Sequence, residues 1–391
     1  MKVVAHLVGA CALAACNVPP SAPTTSPRPS TSTTSAAASS APSTASAPAS
    51  AVPTAAPGAL PPSDRVFFGG GLVLGADGTR LWARSPGPNG VERFRVDGPG
   101  VVHQVEFGDT GDGPAFYVAR GVGRGHLDAP LVLQRIDPET GATTELWRHQ
   151  GERNEPAHLG LDDVNGDGRP DVAFAYYASK YMVRTRHLLA GGAVVEGPEV
   201  RMATSRVFAD VDADGRVDEV VGRVYGDAKD VPGDLRVFLA KGKAPVPVPT
   251  ENGVKALYFG STGASKTNGL YFCDGWVANY GQAAKARVRR VRFDAKGPRP
   301  VETLAESADE FTFFSFHAAD VNGDGTLELI AQGDKRVTVF VDRGGPKLEP
   351  STQVPLEPVL NVAVGVDAGG RPTLYVPART GTTAHPLGAA P

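Results

Sequence analysis

An all-β fold, a β-propeller of four-stranded blades with seven the expected number, is what this sequence predicts, and three observations carry the prediction. The chain of 391 residues holds 47 Gly and 34 Pro against only 3 Met, a balance that punctuates strands and spoils helix interiors. Three acidic, glycine-containing segments repeat almost residue for residue, and each runs into an apolar strand. Together with four weaker copies they recur roughly every 50 residues, the spacing of propeller blades.

The three full copies are Asp163-Val-Asn-Gly-Asp-Gly-Arg-Pro-Asp171, Asp210-Val-Asp-Ala-Asp-Gly-Arg-Val-Asp218 and Asp320-Val-Asn-Gly-Asp-Gly-Thr-Leu-Glu328. The strands that follow begin at Val172, Glu219 and Leu329. The weaker copies keep a glycine and lose acidic positions; taken with the full ones, the shared glycines are Gly78, Gly113, Gly168, Gly215, Gly275, Gly325 and Gly370. One unit per glycine gives seven. The outer strands of a blade are legible twice, as alternating apolar and polar runs on either side of a turn: Leu131 to Asp137 with Thr144 to Trp147, and Val288 to Asp294 with Val301 to Leu304.

The full loops have the chemistry of a calcium site. Calcium takes six to eight oxygens at about 2.3–2.6 Å, best supplied by carboxylates and carbonyls on a tightly curled loop. Acids at loop positions one, three, five and nine provide them. The first loop offers Asp163, Asn165, Asp167 and Asp171, with Gly168 at the turn and the backbone carbonyl of Arg169 to complete the shell. The second offers Asp210, Asp212, Asp214 and Asp218 with the carbonyl of Arg216. The third offers Asp320, Asn322, Asp324 and Glu328 with the carbonyl of Thr326. About three calcium ions follow. An EF-hand starts with similar spacing but needs a Glu at position twelve and flanking helices; here that position is Phe174, Val221 or Ala331, each inside an apolar strand. The bland alternative is a set of Asx-turns with solvated acids. Carboxylates crowded into nine residues repel one another unless a cation neutralises them, which favours the ion.

These loops and strands resemble the FG-GAP/VCBS repeat family, the calcium-loop propeller repeats also seen in integrin α-subunits. The resemblance spans about residues 64–391 and is specific at the three full loops. It implies a propeller that serves as a calcium-stiffened binding or adhesion scaffold for a protein or glycan.

The N-terminus adds an address. Lys2, the apolar run from Val3 to Ala15 and then Cys16 read as an export signal, too short to span a bilayer. Leu13-Ala14-Ala15-Cys16 resembles the lipobox of bacterial lipoproteins, which implies cleavage after residue 15 and lipidation of Cys16. Residues 16–63 are then a Ser/Thr/Ala/Pro-rich spacer whose only charge is Arg28, expected to be disordered. Residues 64–391 form the propeller. The chain is expected in the cell envelope, held to a membrane through the lipid alone. Asn17, in place of the Asp that retains some lipoproteins at the inner membrane, favours the outer membrane or cell surface.

Other function classes find less support. A net charge of −3 offers no basic field for nucleic acid. No GxSxG, HExxH, Walker or dinucleotide fingerprint appears, so no catalytic residue is assigned and a polysaccharide lyase or hydrolase is the weakest reading. His158 and His317 precede the first and third loops at different offsets and read as strand-end packing residues. Cys273, alone in the body, reads as a small buried hydrophobe. The alternative to a scaffold is a lectin that stacks sugars on Trp82, Trp147 and Trp276, residues that strand position otherwise assigns to the core.

Overall fold

The computed structural model describes residues 60–388 apart from 88, 124, 225–232, 241, 243, 264–267, 275–284, 295, 308–311, 358, 360 and 379. The export signal, Cys16, the spacer up to residue 59, Gly275 and Trp276 lie outside the described residues.

Seven antiparallel sheets stand as the blades of a propeller, with no helix among the described residues. They occupy residues 65–97, 101–149, 156–201, 203–248, 256–307, 315–355 and 363–386, in chain order. The first six have four strands and the seventh has three among the described residues. Each first strand lies at the centre and touches its neighbours: Arg65–Gly69 contacts both Val101–Asp109 of the second blade and Ala363–Val366 of the seventh.

Blade three shows why these residues become these strands. Its second strand, Asp171–Tyr177, is buried at every position, because both faces of a blade pack on neighbouring blades. Its third, Met182–Leu188, alternates half-buried and buried, and its fourth, Val194–Arg201, is mostly exposed at the rim. Burial thus falls outward, and continuous apolar runs give way to alternation in the same order.

The core is seven apolar clusters, one at each junction between blades. Tyr117 and Leu133 of blade two meet Leu159 and Phe174 of blade three, for example. Tyr271 and Cys273 of blade five meet Phe316 and Leu329 of blade six. The Cys273 thiol there accepts a hydrogen bond from the Phe313 N–H at 3.4 Å, the packing role expected of it. At the junction of blades three and four, Arg206 and Glu219 supplement the apolar cluster with a buried ion pair at 3.0 Å, and Thr185 of blade three donates to Glu219 at 2.9 Å.

The ring closes without exchanging a strand. Asn361 acts in place of a backbone unit: its Oδ1 accepts from Val66 N–H at 3.2 Å and its Nδ2 donates to Val66 C=O at 2.6 Å. Leu60 joins Val66, Trp82 and Tyr375 in the apolar cluster of that junction, and the Ser63 and Thr382 hydroxyls bond at 2.7 Å. Residues 60–63, assigned from sequence to the spacer, therefore pack into the ring. Pro61, Pro62 and Ser63 continue the spacer's composition, so no compositional break marks where packing starts.

Of the seven glycine units, the described ones fall in six different blades, but not all at equivalent turns. Gly113, Gly168, Gly215, Gly325 and Gly370 lie between first and second strands, whereas Gly78 lies between the second and third strands of blade one. The equivalent turn there is Gly70-Gly71, with φ of 55° and 71°. In blade five it contains Gly263, φ 63°, since Asp274 follows the second strand, Gly269–Cys273. The hairpin expected around residues 288–304 also differs in detail: Phe293–Asp294 and Gly297–Pro298 pair as a small hairpin inserted between the third and fourth strands.

Candidate functional site

All three acidic loops join a first strand to a second strand, in blades three, four and six, so they lie on one face of the ring. Each is built around its first acid. Asp163 accepts N–H bonds from Gly166, Asp167 and Gly168; Asp210 from Asp214 and Gly215; and Asp320 from Gly323 and Gly325. The glycines at loop position six have φ between 82° and 85°, the left-handed region that the curl requires. The acid at position five accepts from the N–H of position seven: Arg169 at 2.9 Å, Arg216 at 3.0 Å and Thr326 at 2.8 Å.

The ninth position has a role that spacing did not reveal. Asp171 takes the N–H of Val164 in its own loop and of Ala190 in the turn between the third and fourth strands. Asp218 does the same with Val211 and Ala240, and Glu328 accepts from Val321. In blades three and four this acid therefore clamps two loops of one blade together. Burial holds the Asp171, Asp218 and Glu328 carboxyls above the usual carboxylate range, and the neighbouring loop acids add to the rise. A cation among them would act in the opposite sense.

The loops differ at position three. Asn165 and Asn322 turn their amides onto Asp167 and Asp324, donating at 3.0 and 2.9 Å. Asp212 has no amide to donate. Its carboxylate converges with Asp210 and Asp218, the one group of three acids among the described residues whose oxygens all lie within 4.8 Å of one another. The Asp212 Oδ1 is buried without a hydrogen-bond partner. A buried carboxylate oxygen with no donor, beside two further carboxylates, fits a hard cation; Asp214 stands outside the converging group.

The weaker turns are held by the same kind of bond. Asp109 accepts from Gly111 and Gly113 in blade two. In blade seven Asp367 accepts from Gly369 and Arg371, and the Arg371 guanidinium lies 2.7 Å from it, a cation supplied by the chain itself.

Inside the loop face lies a cavity of about 600 Å³ between the central strands of blades two to five. Glu106, His158, Asp162, Arg206 and Asp210 are among its lining residues. Burial, with Asp162 nearby, raises the Glu106 carboxyl well above its ordinary range, and burial pushes Asp162 up to about 7. Sequence reasoning missed this pair, which no local motif announces; the one signal was an acid, Glu106, between Val105 and Phe107 in an apolar strand.

The histidines occupy packing positions. His158 lies against Phe208, ring centroids 5.7 Å apart, and burial pulls its pKa down to about 3. His317 contacts Ser315 Oγ at 3.2 Å and is pulled down to about 4. Trp82 is 3 % exposed in the junction of blades seven and one. Trp147 is half-buried between Tyr176 and the Arg186 guanidinium.

No protein-family model matches the chain, and no curated protein does. Among solved structures it is similar to Sqt1 of Saccharomyces cerevisiae, with a TM-score of 0.47 and 11 % identity over 81 % of this chain and 80 % of that one.

Proposed function

We propose that the protein is a calcium-binding β-propeller of the FG-GAP/VCBS kind, tethered to the cell envelope through a lipid on Cys16, and that it acts as a non-enzymatic binding or adhesion scaffold. The observation that carries the calcium reading is the unpartnered Asp212 oxygen facing Asp210 and Asp218. In the second loop these three, with Asp214 and the Arg216 carbonyl, would hold the ion. Asp163, Asn165, Asp167, Asp171 and the Arg169 carbonyl would do so in the first loop, and Asp320, Asn322, Asp324, Glu328 and the Thr326 carbonyl in the third. Each ion would stiffen the turn between two strands, leaving the loop face rigid enough to dock a protein or glycan without an ordering cost.

Calorimetric titration of the calcium-depleted protein tests this reading, with about three ions expected and one fewer for Asp212→Ala. Absence of calcium uptake contradicts it. Cys16→Ser is expected to move the protein from the membrane fraction to the soluble one, and retention in membranes contradicts the anchor. Of the two tryptophans among the described residues, Trp147 gives a specific footing to a carbohydrate-binding reading, because it is half-buried at the rim and carries an arginine on its face. A glycan array separates that reading from a protein-binding one.

A further inference from the structure

The cavity between blades two and five, bordered on one side by residues of the second and third acidic loops, carries acid that nothing among the described residues neutralises. Glu106 is 8 % exposed, lines the cavity, and its Oε1 has no hydrogen-bond partner. A buried carboxyl without a donor or a counter-charge is costly, and a native fold that keeps one gives reason to look for the ligand that completes it. Asp162, from the neighbouring blade, lines the same space, and its carboxyl makes no hydrogen bond or ion pair among the described residues. The one arginine among the described residues of the wall, Arg206, pairs with Glu219 at 3.0 Å while its Nη1 and Nη2 make no hydrogen bond, to Glu106 and Asp162 included, and Asp210 accepts from amides of its own loop.

Two properties select the kind of cation. Glu106 and Asp162 belong to no group of three acids converging within 4.8 Å, so the residues do not enclose a point charge as Asp210, Asp212 and Asp218 do. The space, about 600 Å³, is within the range of small-molecule sites and far larger than a bare ion needs. Phe107, Phe208 and Phe259 contribute apolar wall beside the acids. The geometry points to a binding site for a small organic cation, a molecule that sets a protonated amine between Glu106 and Asp162 and lays its carbon frame against the phenylalanines. Ammonium against carboxylate in a partly dry cavity gives a charge-assisted hydrogen bond, stronger than the same donor finds in water.

The test uses the full-length chain in detergent with calcium saturating, and putrescine and glucosamine as probes. Their uncharged counterparts, 1,4-butanediol and glucose, serve as controls, and binding is followed by ligand-observed NMR and calorimetry. At least one amine is expected to bind saturably with its counterpart at least tenfold weaker, and Glu106→Gln, which keeps the side-chain shape, is expected to weaken it at least tenfold. Asp162→Asn is the second variant, expected to act in the same direction with calcium stoichiometry unchanged. The proposal is overturned if neither amine binds at about 10 mM, if the neutral molecules bind equally, if both variants bind like the parent, or if excess calcium displaces the amine competitively.

Discussion

Replacing Asp212 by alanine separates the ion from the scaffold, because Asp212 accepts no hydrogen bond among the described residues whereas the other loop acids hold the turn. Without calcium the substitution removes a carboxylate that only repels Asp210 and Asp218, so stability stays level or rises slightly. With calcium about a hundredfold above its dissociation constant, an ion bound only by the folded state contributes about 2.7 kcal/mol. Unfolding entropy of about 2.1 cal/mol/K per residue, over a unit of roughly 330 residues, comes to about 0.7 kcal/mol/K. Losing one ion is then expected to lower Tm by about 4 °C in calcium and to change it little in EDTA, measured by scanning calorimetry. Asp218→Ala provides the contrast. It strips acceptors from the Val211 and Ala240 amides, each costing about 1–3 kcal/mol when left unpaired, so it lowers Tm in both media. Equal losses for Asp212→Ala with and without calcium, or a parent protein indifferent to EDTA, would refute the reasoning.

Asn361→Ala leaves the Val66 N–H and C=O at the ring closure without partners. A cost of about 2 kcal/mol or more is expected, read as a lower Tm and faster hydrogen exchange of the Val66 amide; unchanged exchange there contradicts the closure role. Acid should weaken the fold through His158 and His317, whose folded pKa values of about 3 and about 4 lie below the ordinary 6.5. Between pH 6.5 and those values the unfolded chain binds protons that the folded one refuses. The stability they contribute is therefore complete above pH 6.5 and is lost as pH falls through that window, by about 1.4 kcal/mol per pH unit for each histidine. Denaturant midpoints measured from pH 7 to 5 check this, and a His317→Gln variant that keeps the parent slope speaks against it.

What could be read from sequence was whatever the chain repeats locally. Acidic and amide side chains at odd positions around Gly168, Gly215 and Gly325 sit within nine residues, so the curl of each turn around its first acid follows from spacing, while the difference at position three does not. The hairpin from Leu131 to Trp147 was legible for the same reason: strands Leu131–Ile136 and Thr143–His149 pair across a short turn. The degenerate units misled where a glycine marked some other turn, as Gly78 does, since a glycine reports a backbone need without saying which strands it joins. Contacts between neighbouring blades left no local pattern. Thr185 with Glu219, Asn361 with Val66, and Glu106 near Asp162 are pairings made by ring closure and blade stacking, and no residue of them alone announces its partner.

Because every blade is contiguous in sequence, the boundary between first and last blades is a seam of side-chain bonds, apolar contact and two backbone hydrogen bonds, Ser63 N–H to Ala378 C=O and Thr382 N–H to Pro61 C=O, not a shared sheet. The circle has no privileged starting point. Joining residue 388 to residue 60 and opening the chain in the connection at 249–255 would turn the seam into an ordinary link and a present link into the seam, with each blade keeping its strands. The order of blades around the axis is thus independent of where the polypeptide starts, and a tether could in principle be moved to another edge of the disc while the acidic loops stay on their face.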